Sequence, residues 1–255
     1  MQHFKLILKH LSILCLLLIS FSCQQQNSQD RDHLVFRYNE HANITSLDPA
    51  FAKDQRNIWA VHQLYNGLVE MDADLNVIPA IATSWKVSDD GQTYVFTLRD
   101  DVQFHKHKLF GKDSTRAVTA YDFEYSFGRI LDDKLASSGR WIFKSVDRFK
   151  AIDASTFEIT LKQSFPAFLS LLTMKYCSVV PKEIVAHYGN DFRANPIGTG
   201  PFKFKVWEEN TKLVLRRNQN YFEKDANGTP LPYLEAVAIT FLPDKQSEFL
   251  QFIQG

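Results

Sequence analysis

The segment from Pro79 to Phe127 constrains the fold more than any other part of the chain, because it specifies two strands and a helix in a fixed order. Residues 85–87 and 94–98 alternate apolar and polar side chains, which is typical of half-buried strands. Asp89-Asp90-Gly91 stands between them, and glycine adopts the positive φ that a tight hairpin turn requires. The pattern predicts a β-hairpin, followed by residues 102–104 as a third short alternating piece.

A capped helix completes the same segment. Thr119 stands where an N-cap is expected, and Asp122 follows three residues later in the position of a capping-box partner. The apolar side chains after them recur at helical spacing and form one face, which consists of Phe123, Phe127, Ile130 and Leu131. We therefore predict a compact α+β unit over this part of the chain.

Several separate motifs carry a family resemblance. The hairpin and helix read PAIATSWKVSDDGQTYVFTLRDDVQFH and then TAYDFEYS. SLDPA and LYNGLVE stand upstream, and GTGPFKF and LVLRRNQNYF stand downstream. In this order the chain resembles extracellular solute-binding protein family 5, the substrate-binding lipoproteins of ABC importers for oligopeptides, dipeptides and nickel. The resemblance covers nearly all of residues 34–255 and corresponds to the N-terminal portion of such a protein.

The resemblance implies an α/β fold similar to the type II periplasmic binding proteins. Residues 34–76 and 179–255 would form a discontinuous, incomplete first lobe, and residues 77–178 an inserted α+β second lobe. The lobe that closes over the ligand in the family would be absent from this chain. Because affinity depends on the pocket that two opposed faces enclose, we expect the 255-residue chain alone to bind peptides weakly. We also expect an unpaired sheet edge that promotes association.

The candidate ligand residues also follow from the resemblance. They are Tyr65, Asn66, Gly67, Leu68, Trp141, Phe143 and Phe241. The first four match the family segment that lines the cleft floor, although Gly67 as a helix C-cap explains the same residues equally well. Trp141 and Phe143 lie where the second lobe presents an aromatic side chain, and Phe241 lies in a strand that leads to the absent lobe. Packing in a core is the favoured interpretation for these aromatic residues, and residues 141–149 are predicted as a strand.

The resemblance implies an extracytoplasmic protein that captures peptides and passes them to an ABC permease and its ATPase. In the family a peptide is held largely by main-chain hydrogen bonds, and no cofactor is expected. Nickel complexes or short oligosaccharides are alternative ligands for the same scaffold. An extracytoplasmic hydrolase is disfavoured because the sequence contains neither a G-x-S-x-G nor an H-E-x-x-H motif. We expect a monomer when the protein is full length.

Residues 1–22 have the form of a secretory leader. Lys5 and Lys9 provide a basic start, and residues 11–21 form an apolar run too short to span a bilayer comfortably. Ser22-Cys23 then predicts a lipoprotein signal that is cleaved before Cys23, with lipid attached to the thiol. An ordinary secretory signal is the alternative. Residues 23–33 would be a tether, and the protein would be held at the extracytoplasmic face of a membrane.

Charge, cysteine and histidine content exclude other classes of protein. The sequence has 29 basic and 29 acidic residues, and loss of the leader leaves 27 basic ones, so no electrostatic footprint for nucleic acid exists.

Cys177 lies in an apolar run and is predicted to be a buried small hydrophobic residue. His105 and His107 would share one side of a strand, but two imidazoles without a third ligand make a poor metal site, so we expect none.

The remaining elements are predicted from alternation, helical spacing and turn residues. Glycines in the segment at 198–201 are predicted to allow close backbone approach, because the segment lacks the lysine of a phosphate-binding loop. Strands are predicted at 34–38, 156–161, 178–180, 201–207, 212–216 and 236–242. Helices are predicted to begin near residue 54, at Pro166, at Pro181 and at Asp244.

Overall fold

The computed structural model describes residues 34–254, which form two four-stranded β-sheets and one two-stranded sheet. The strands are β1 Val35–Glu40, β2 Val69–Met71, β3 Val77–Pro79, β4 Ala82–Val87, β5 Thr93–Leu98, β6 Val146–Ala151, β7 Thr156–Leu161, β8 Phe202–Glu208, β9 Lys212–Arg217 and β10 Ala236–Phe241. The α-helices are α1 Gln55–Leu64, α2 Ala120–Leu131, α3 Phe168–Leu171, α4 Lys182–Tyr188 and α5 Lys245–Gln254. Short 3-10 helices occupy Pro49–Phe51, Lys108–Phe110, Arg140–Ser145, Lys175–Cys177 and Gly189–Ala194.

The first sheet joins the two ends of the described chain. Its strand order is β1-β10-β9-β8, in which β1 runs parallel to β10 and the other pairs are antiparallel. Asn210, at a φ of 60°, turns the predicted hairpin between β8 and β9. One face of this sheet shares an apolar cluster with α1 and α4, which includes Val61, Leu64, Ile184, Leu213 and Leu215. Because a parallel pair needs a long crossover, every element except α5 lies between β1 and β10 in sequence.

The second sheet is antiparallel throughout, with the strand order β4-β5-β7-β6. The predicted hairpin is confirmed, and Gly91 in its turn has a φ of 67°. The predicted capped helix is confirmed as α2, where the Thr119 main-chain N–H donates to Asp122 Oδ2 at 2.9 Å. Phe123 and Phe127 of α2 pack on Phe157 of β7, with ring centroids 5.9 and 5.5 Å apart. Each buried phenylalanine contributes about 1.5–3 kcal/mol, so this aromatic cluster fixes α2 on the sheet.

The prediction of a single strand over residues 141–149 is wrong. The 3-10 helix Arg140–Ser145 comes first, and β6 begins only at Val146. Ile142 and Phe143 are neighbours in sequence and both are buried, at 1% and 3% exposure. A strand with one buried face cannot bury two consecutive side chains, whereas a helical turn can.

Two other predicted extended segments do not join a sheet as strands. Residues 178–180 are extended, but the Val179 N–H donates to Asn66 O at 3.0 Å and the Val180 N–H donates to Ser126 Oγ at 2.9 Å. Residues 102–104 contribute one isolated bridge, between Gln103 and Ala117. In both segments the partner of the main chain is a distant loop or side chain, which alternation in the sequence does not report.

Candidate ligand-binding cleft

A cleft of about 450 Å³ lies beside the C-terminal end of α1. Its polar lining comes from two parts of the chain far apart in sequence, and consists of His62, Gln63, Asn66, Glu70, Tyr221 and Glu223. Its apolar lining consists of Met71, Pro201, Phe202, Leu231, Pro232, Tyr233 and Leu234. A mostly apolar cleft with a few convergent polar groups is the usual form of a small-ligand site.

A hydrogen-bond network centred on Asn66 holds the polar wall of the cleft. Thr199 Oγ1 accepts from the Asn66 main-chain N–H at 3.2 Å and donates to Asn66 Oδ1 at 2.9 Å. Asn66 Nδ2 donates to Tyr221 OH at 3.1 Å, and Glu223 lies close enough to this hydroxyl to help raise the pKa of Tyr221. Burial raises the pKa of Tyr221, so its hydroxyl stays protonated and can donate. The network therefore orients Tyr221 on the cleft wall.

Two carboxylates and one ammonium group lie close together at this wall. Burial, and secondarily Glu223, raise the pKa of Glu70, while burial also raises the pKa of Glu223. Burial lowers the pKa of Lys175, although both carboxylates oppose this shift. Arg99 also acts on Glu223, but its charge is balanced by its own pair with Asp101. With both acids ionised, Glu70, Glu223 and Lys175 therefore carry one net negative charge in a partly desolvated place. Such a place favours a ligand that brings a positive charge.

The segment of four predicted ligand residues contributes mainly one side chain to the cleft, that of Asn66. Tyr65 and Leu68 are fully buried, and the carbonyls of Asn66, Gly67 and Leu68 accept internal hydrogen bonds. Gly67 is not a helix cap, since α1 ends at Leu64 and Tyr65 already has extended dihedral angles. The main chain of this segment is thus committed to the fold, and the role of the four residues in binding stays a prediction.

The glycines of the predicted close-approach segment lie directly against the end of α1. A Cβ atom on Gly198 would stand 2.0 Å from Leu64 O, and one on Gly200 would stand 2.5 Å from the Leu64 carbonyl carbon. The prediction of close backbone approach is confirmed. This contact places Thr199, between the two glycines, where it holds Asn66.

The predicted aromatic ligand residues lie away from this cleft. Trp141 is 53% exposed, which contradicts the favoured interpretation of core packing for that residue. It borders a different surface groove, together with Lys144 and Phe165. Phe143 and Phe241 are 3% and 4% exposed and pack in the two apolar clusters, as core packing predicts. Cys23 lies outside the described residues.

The two candidate metal ligands serve the fold. His105 is buried, its Nε2 lies 3.0 Å from Gly200 O, and its Nδ1 accepts from the Gly198 N–H at 3.3 Å. Burial lowers the pKa of His105 to about 4. His107 Nε2 lies 3.1 Å from Tyr188 OH. Within residues 34–254, no group of three or more His, Cys, Asp or Glu side chains is placed to hold a metal ion. Cys177 is buried, as predicted.

Sequence reasoning missed Glu70, Tyr221 and Glu223 as cleft residues, and Lys175 as the cation that acts on the two acids. Two of them stand in motifs that carry the family resemblance, because Glu70 ends LYNGLVE and Tyr221 lies in LVLRRNQNYF. Membership of these motifs could therefore have indicated that Glu70 and Tyr221 are candidate cleft residues. Lys175 and Glu223 have no such signal, since only the tertiary structure brings them to the wall.

Comparison with known proteins identifies the family. A family model described as bacterial extracellular solute-binding proteins, family 5 Middle, matches residues 76–255. The chain belongs to this family. Its members are solute-binding proteins rather than enzymes, and the family description places them outside the cytoplasm. In the described part of the chain, no helix has the length and apolar character needed to cross a membrane.

Relatives of this chain are named for different solutes. The glutathione-binding protein GsiB of Salmonella typhi is 29% identical over 196 residues, which cover 77% of this chain and 36% of that protein. The probable deoxycholate-binding periplasmic protein YgiS of Escherichia coli is 31% identical over 225 residues, covering 80% of this chain and 40% of the relative. The chain thus spans less than half the length of these relatives.

The fold agrees with that of a solved family structure. The periplasmic binding protein DppA of Helicobacter pylori, in complex with the peptide STSA, superimposes with a TM-score of 0.77 at 29% identity. The match covers 87% of this chain and 45% of DppA. The predicted α/β fold of the type II periplasmic binding proteins, present here as part of the longer family architecture, is confirmed.

Proposed function

We propose that this family 5 protein captures peptides outside the cytoplasm and delivers them to an ABC permease driven by its ATPase. The observation that carries the proposal is the cleft wall in which Asn66 donates a hydrogen bond to Tyr221 beside the carboxylates of Glu70 and Glu223. The glutathione-binding relative and the peptide complex of DppA support peptides as the ligand class. The division into lobes at residues 76/77 and 178/179 belongs to the same proposal.

The charge at the wall suits the amino terminus of a peptide. An α-ammonium group can donate hydrogen bonds to Glu223 and Glu70, and its positive charge offsets the net negative charge beside Lys175. A charge-assisted hydrogen bond of this kind is roughly twice as strong as a neutral one. The apolar lining residues, including Phe202 and Leu234, would accommodate side chains of varied sequence.

Isothermal titration with tri- to pentapeptides, free and N-acetylated, tests the proposal in the 255-residue chain and in the whole gene product. We expect free peptides to bind at least about tenfold more tightly than acetylated ones, because acetylation removes the charge. Glu223→Gln should abolish that difference, whereas Glu208→Gln, an exposed acid on β8, should preserve it. Failure of the whole gene product to bind any peptide would overturn peptides as the ligand class. Equal binding of free and acetylated peptides would overturn only the role of the acids.

A further inference from the structure

A second concave surface, which we call the basic pocket, lies beside β8 and β9. Its volume is about 390 Å³. It is lined by His105, Lys106, His107, Tyr188, Asn195, Pro196, Ile197, Lys203, Phe204, Lys205 and Arg216. It shares no lining residue with the ligand-binding cleft. Any ligand of the basic pocket would therefore be additional to the solute held in the cleft.

The charges of the basic pocket are all of one sign. Lys106, Lys203, Lys205 and Arg216 contribute four cationic groups, and its lining includes no aspartate or glutamate. Among residues 34–254, none of these four side chains forms an ion pair within 4.0 Å. The sequence as a whole is balanced at 29 basic and 29 acidic residues, so this concentration of positive charge is local.

The strand register makes the arrangement costly in the absence of a counterion. Lys203 on β8 stands directly opposite Arg216 on β9. Like charges at directly opposed positions destabilise a sheet. Other basic residues of β9 do have acidic partners, since Lys212 pairs with Glu208 and Arg217 pairs with Glu235, each at 3.2 Å. On β8 and β9, the basic side chains that have no acidic partner are thus the ones that line the pocket.

The floor and one wall of the pocket are rigidly held. Both ring nitrogens of buried His105 are engaged by the backbone of Gly198 and Gly200. His107 is fixed by the hydroxyl of Tyr188, at 3.1 Å. A register irregularity in β8 between Phe204 and Val206 adds Lys205 as an extra residue next to the opposed pair.

We propose that the basic pocket binds a phosphate-bearing anion that carries at least two negative charges. Phosphate oxygens match the planar donor geometry of the Arg216 guanidinium, and the three lysines supply further positive charge around it. Several cations facing one site favour a multivalent anion over a single carboxylate. The anion comes either from a soluble phosphate compound or from the headgroup of a lipid at the membrane surface.

Pyrophosphate is the probe that tests the site, by isothermal titration at fixed ionic strength with sulfate and chloride for comparison. We expect saturable binding with a dissociation constant below about 1 mM, weakened at least about tenfold by Lys203→Gln or Arg216→Gln. Lys86→Gln, which removes the same charge from an exposed position on β4 in the other sheet, should leave binding unchanged. Circular dichroism establishes that each variant is folded.

Vesicles distinguish the two sources of the anion. Flotation with phosphatidylcholine vesicles, with and without cardiolipin, whose headgroup carries two phosphates, is compared for the native protein and the two pocket variants. Binding to the anionic vesicles that depends on Lys203 and Arg216 assigns a lipid headgroup, and pyrophosphate binding without flotation assigns a soluble compound.

Charged residues also protect an edge strand such as β8 from association. If the variants associate more readily but no phosphate compound or anionic vesicle binds, protection of the edge is the correct explanation and the proposal is wrong.

Discussion

Arg129 donates two parallel hydrogen bonds to Asp48, from Nη1 to Oδ1 at 2.8 Å and from Nη2 to Oδ2 at 2.5 Å. The two side chains are 10% and 3% exposed, and they connect α2 to a loop 81 residues earlier. Asp48 also accepts from the Ala50 N–H at 3.0 Å at the start of a 3-10 helix. Burial alone would lower the pKa of Arg129, but the bonds from Asp48 raise it, so the pair stays ionised. It ties the loop that contains SLDPA to the aromatic cluster around α2.

Removal of one partner of this pair should destabilise the protein strongly. We expect Arg129→Ala to lower the free energy of unfolding by about 3–5 kcal/mol, because Asp48 would remain as an uncompensated buried charge. Urea unfolding followed by circular dichroism measures the loss. Arg193→Ala is the matched control, since its pair with Glu209 is largely exposed and is worth about 0–1 kcal/mol. An equal loss of unfolding free energy in the two variants would contradict the claim that burial makes the Arg129–Asp48 pair important for stability.

Gly198→Ala should destabilise the protein because no room exists for the added methyl group. The new Cβ would lie 2.0 Å from Leu64 O and 2.6 Å from Tyr65 Cδ1, so the main chain itself has to move. Overpacking of this kind costs about 1–3 kcal/mol or more. Gly128→Ala in α2 is the control, because its Cβ meets nothing within 4 Å and alanine favours a helix by roughly 0.5–1 kcal/mol. Thermal melts should therefore move in opposite directions, and a stable Gly198→Ala protein would disprove the close contact.

Stability should fall in acid partly because of His105. Its pKa is about 4 in the folded protein against 6.5 in an unfolded chain, so the unfolded state binds more protons between these values. Stability from this group is therefore unaffected above pH 6.5 and decreases as the pH falls towards 4, by about 3 kcal/mol in all. Unfolding free energies measured from pH 7 to 4.5 should fall less steeply for His105→Gln than for the native protein. The control His41→Gln, at an exposed position, should show the same dependence of unfolding free energy on pH as the native protein. The same pH dependence in all three proteins would exclude His105 as a cause of the acid sensitivity.

Edge strand β1 should promote association between copies of the chain. Within the described residues it is paired on one side only, with β10, and its Phe36 is 53% exposed. An exposed apolar edge is a template for pairing with another strand. We expect Phe36→Lys to shift the protein towards monomer in sedimentation velocity over a range of concentrations. Leu75→Lys, which removes a 75% exposed apolar residue from a turn, should have no such effect. A native chain that is monomeric at every concentration would contradict the prediction.

Lipid attachment at Cys23 is the prediction that concerns the leader. Cells that express the native protein and are grown with clickable palmitate should yield a labelled protein in the membrane fraction. Cys23→Ser should lose both the label and the membrane association, because the thiol is the attachment point. Cys177→Ser is the matched control, since Cys177 is buried and should not be modified. Label that persists in the Cys23→Ser protein would refute attachment at Cys23, and a native protein without label would indicate an ordinary secretory leader.

Local sequence determined the elements whose cause is short-range. The turn at Gly91, the capping box of Thr119 and Asp122, and the helix that ends at Gly189 all depend on residues within a few positions of one another. Hairpins β4–β5 and β8–β9 follow from alternation on either side of a turn. The order of these elements also carried the family resemblance and hence the fold. Turns, helix caps and hairpins depend on neighbouring residues alone, so the sequence predicts them without knowledge of any long-range contact.

Only the tertiary structure decided which residues form the cleft and which aromatic side chains are buried. Asn66 and Tyr221 meet across 155 positions, and no local pattern encodes that contact. Trp141 and Phe143 are two residues apart with similar apolar character, yet one is exposed and the other is in a core. The opposition of Lys203 and Arg216 likewise depends on strand register. The burial of a side chain and the charge around it depend on whichever distant residues pack against it, and chain folding alone brings those residues together.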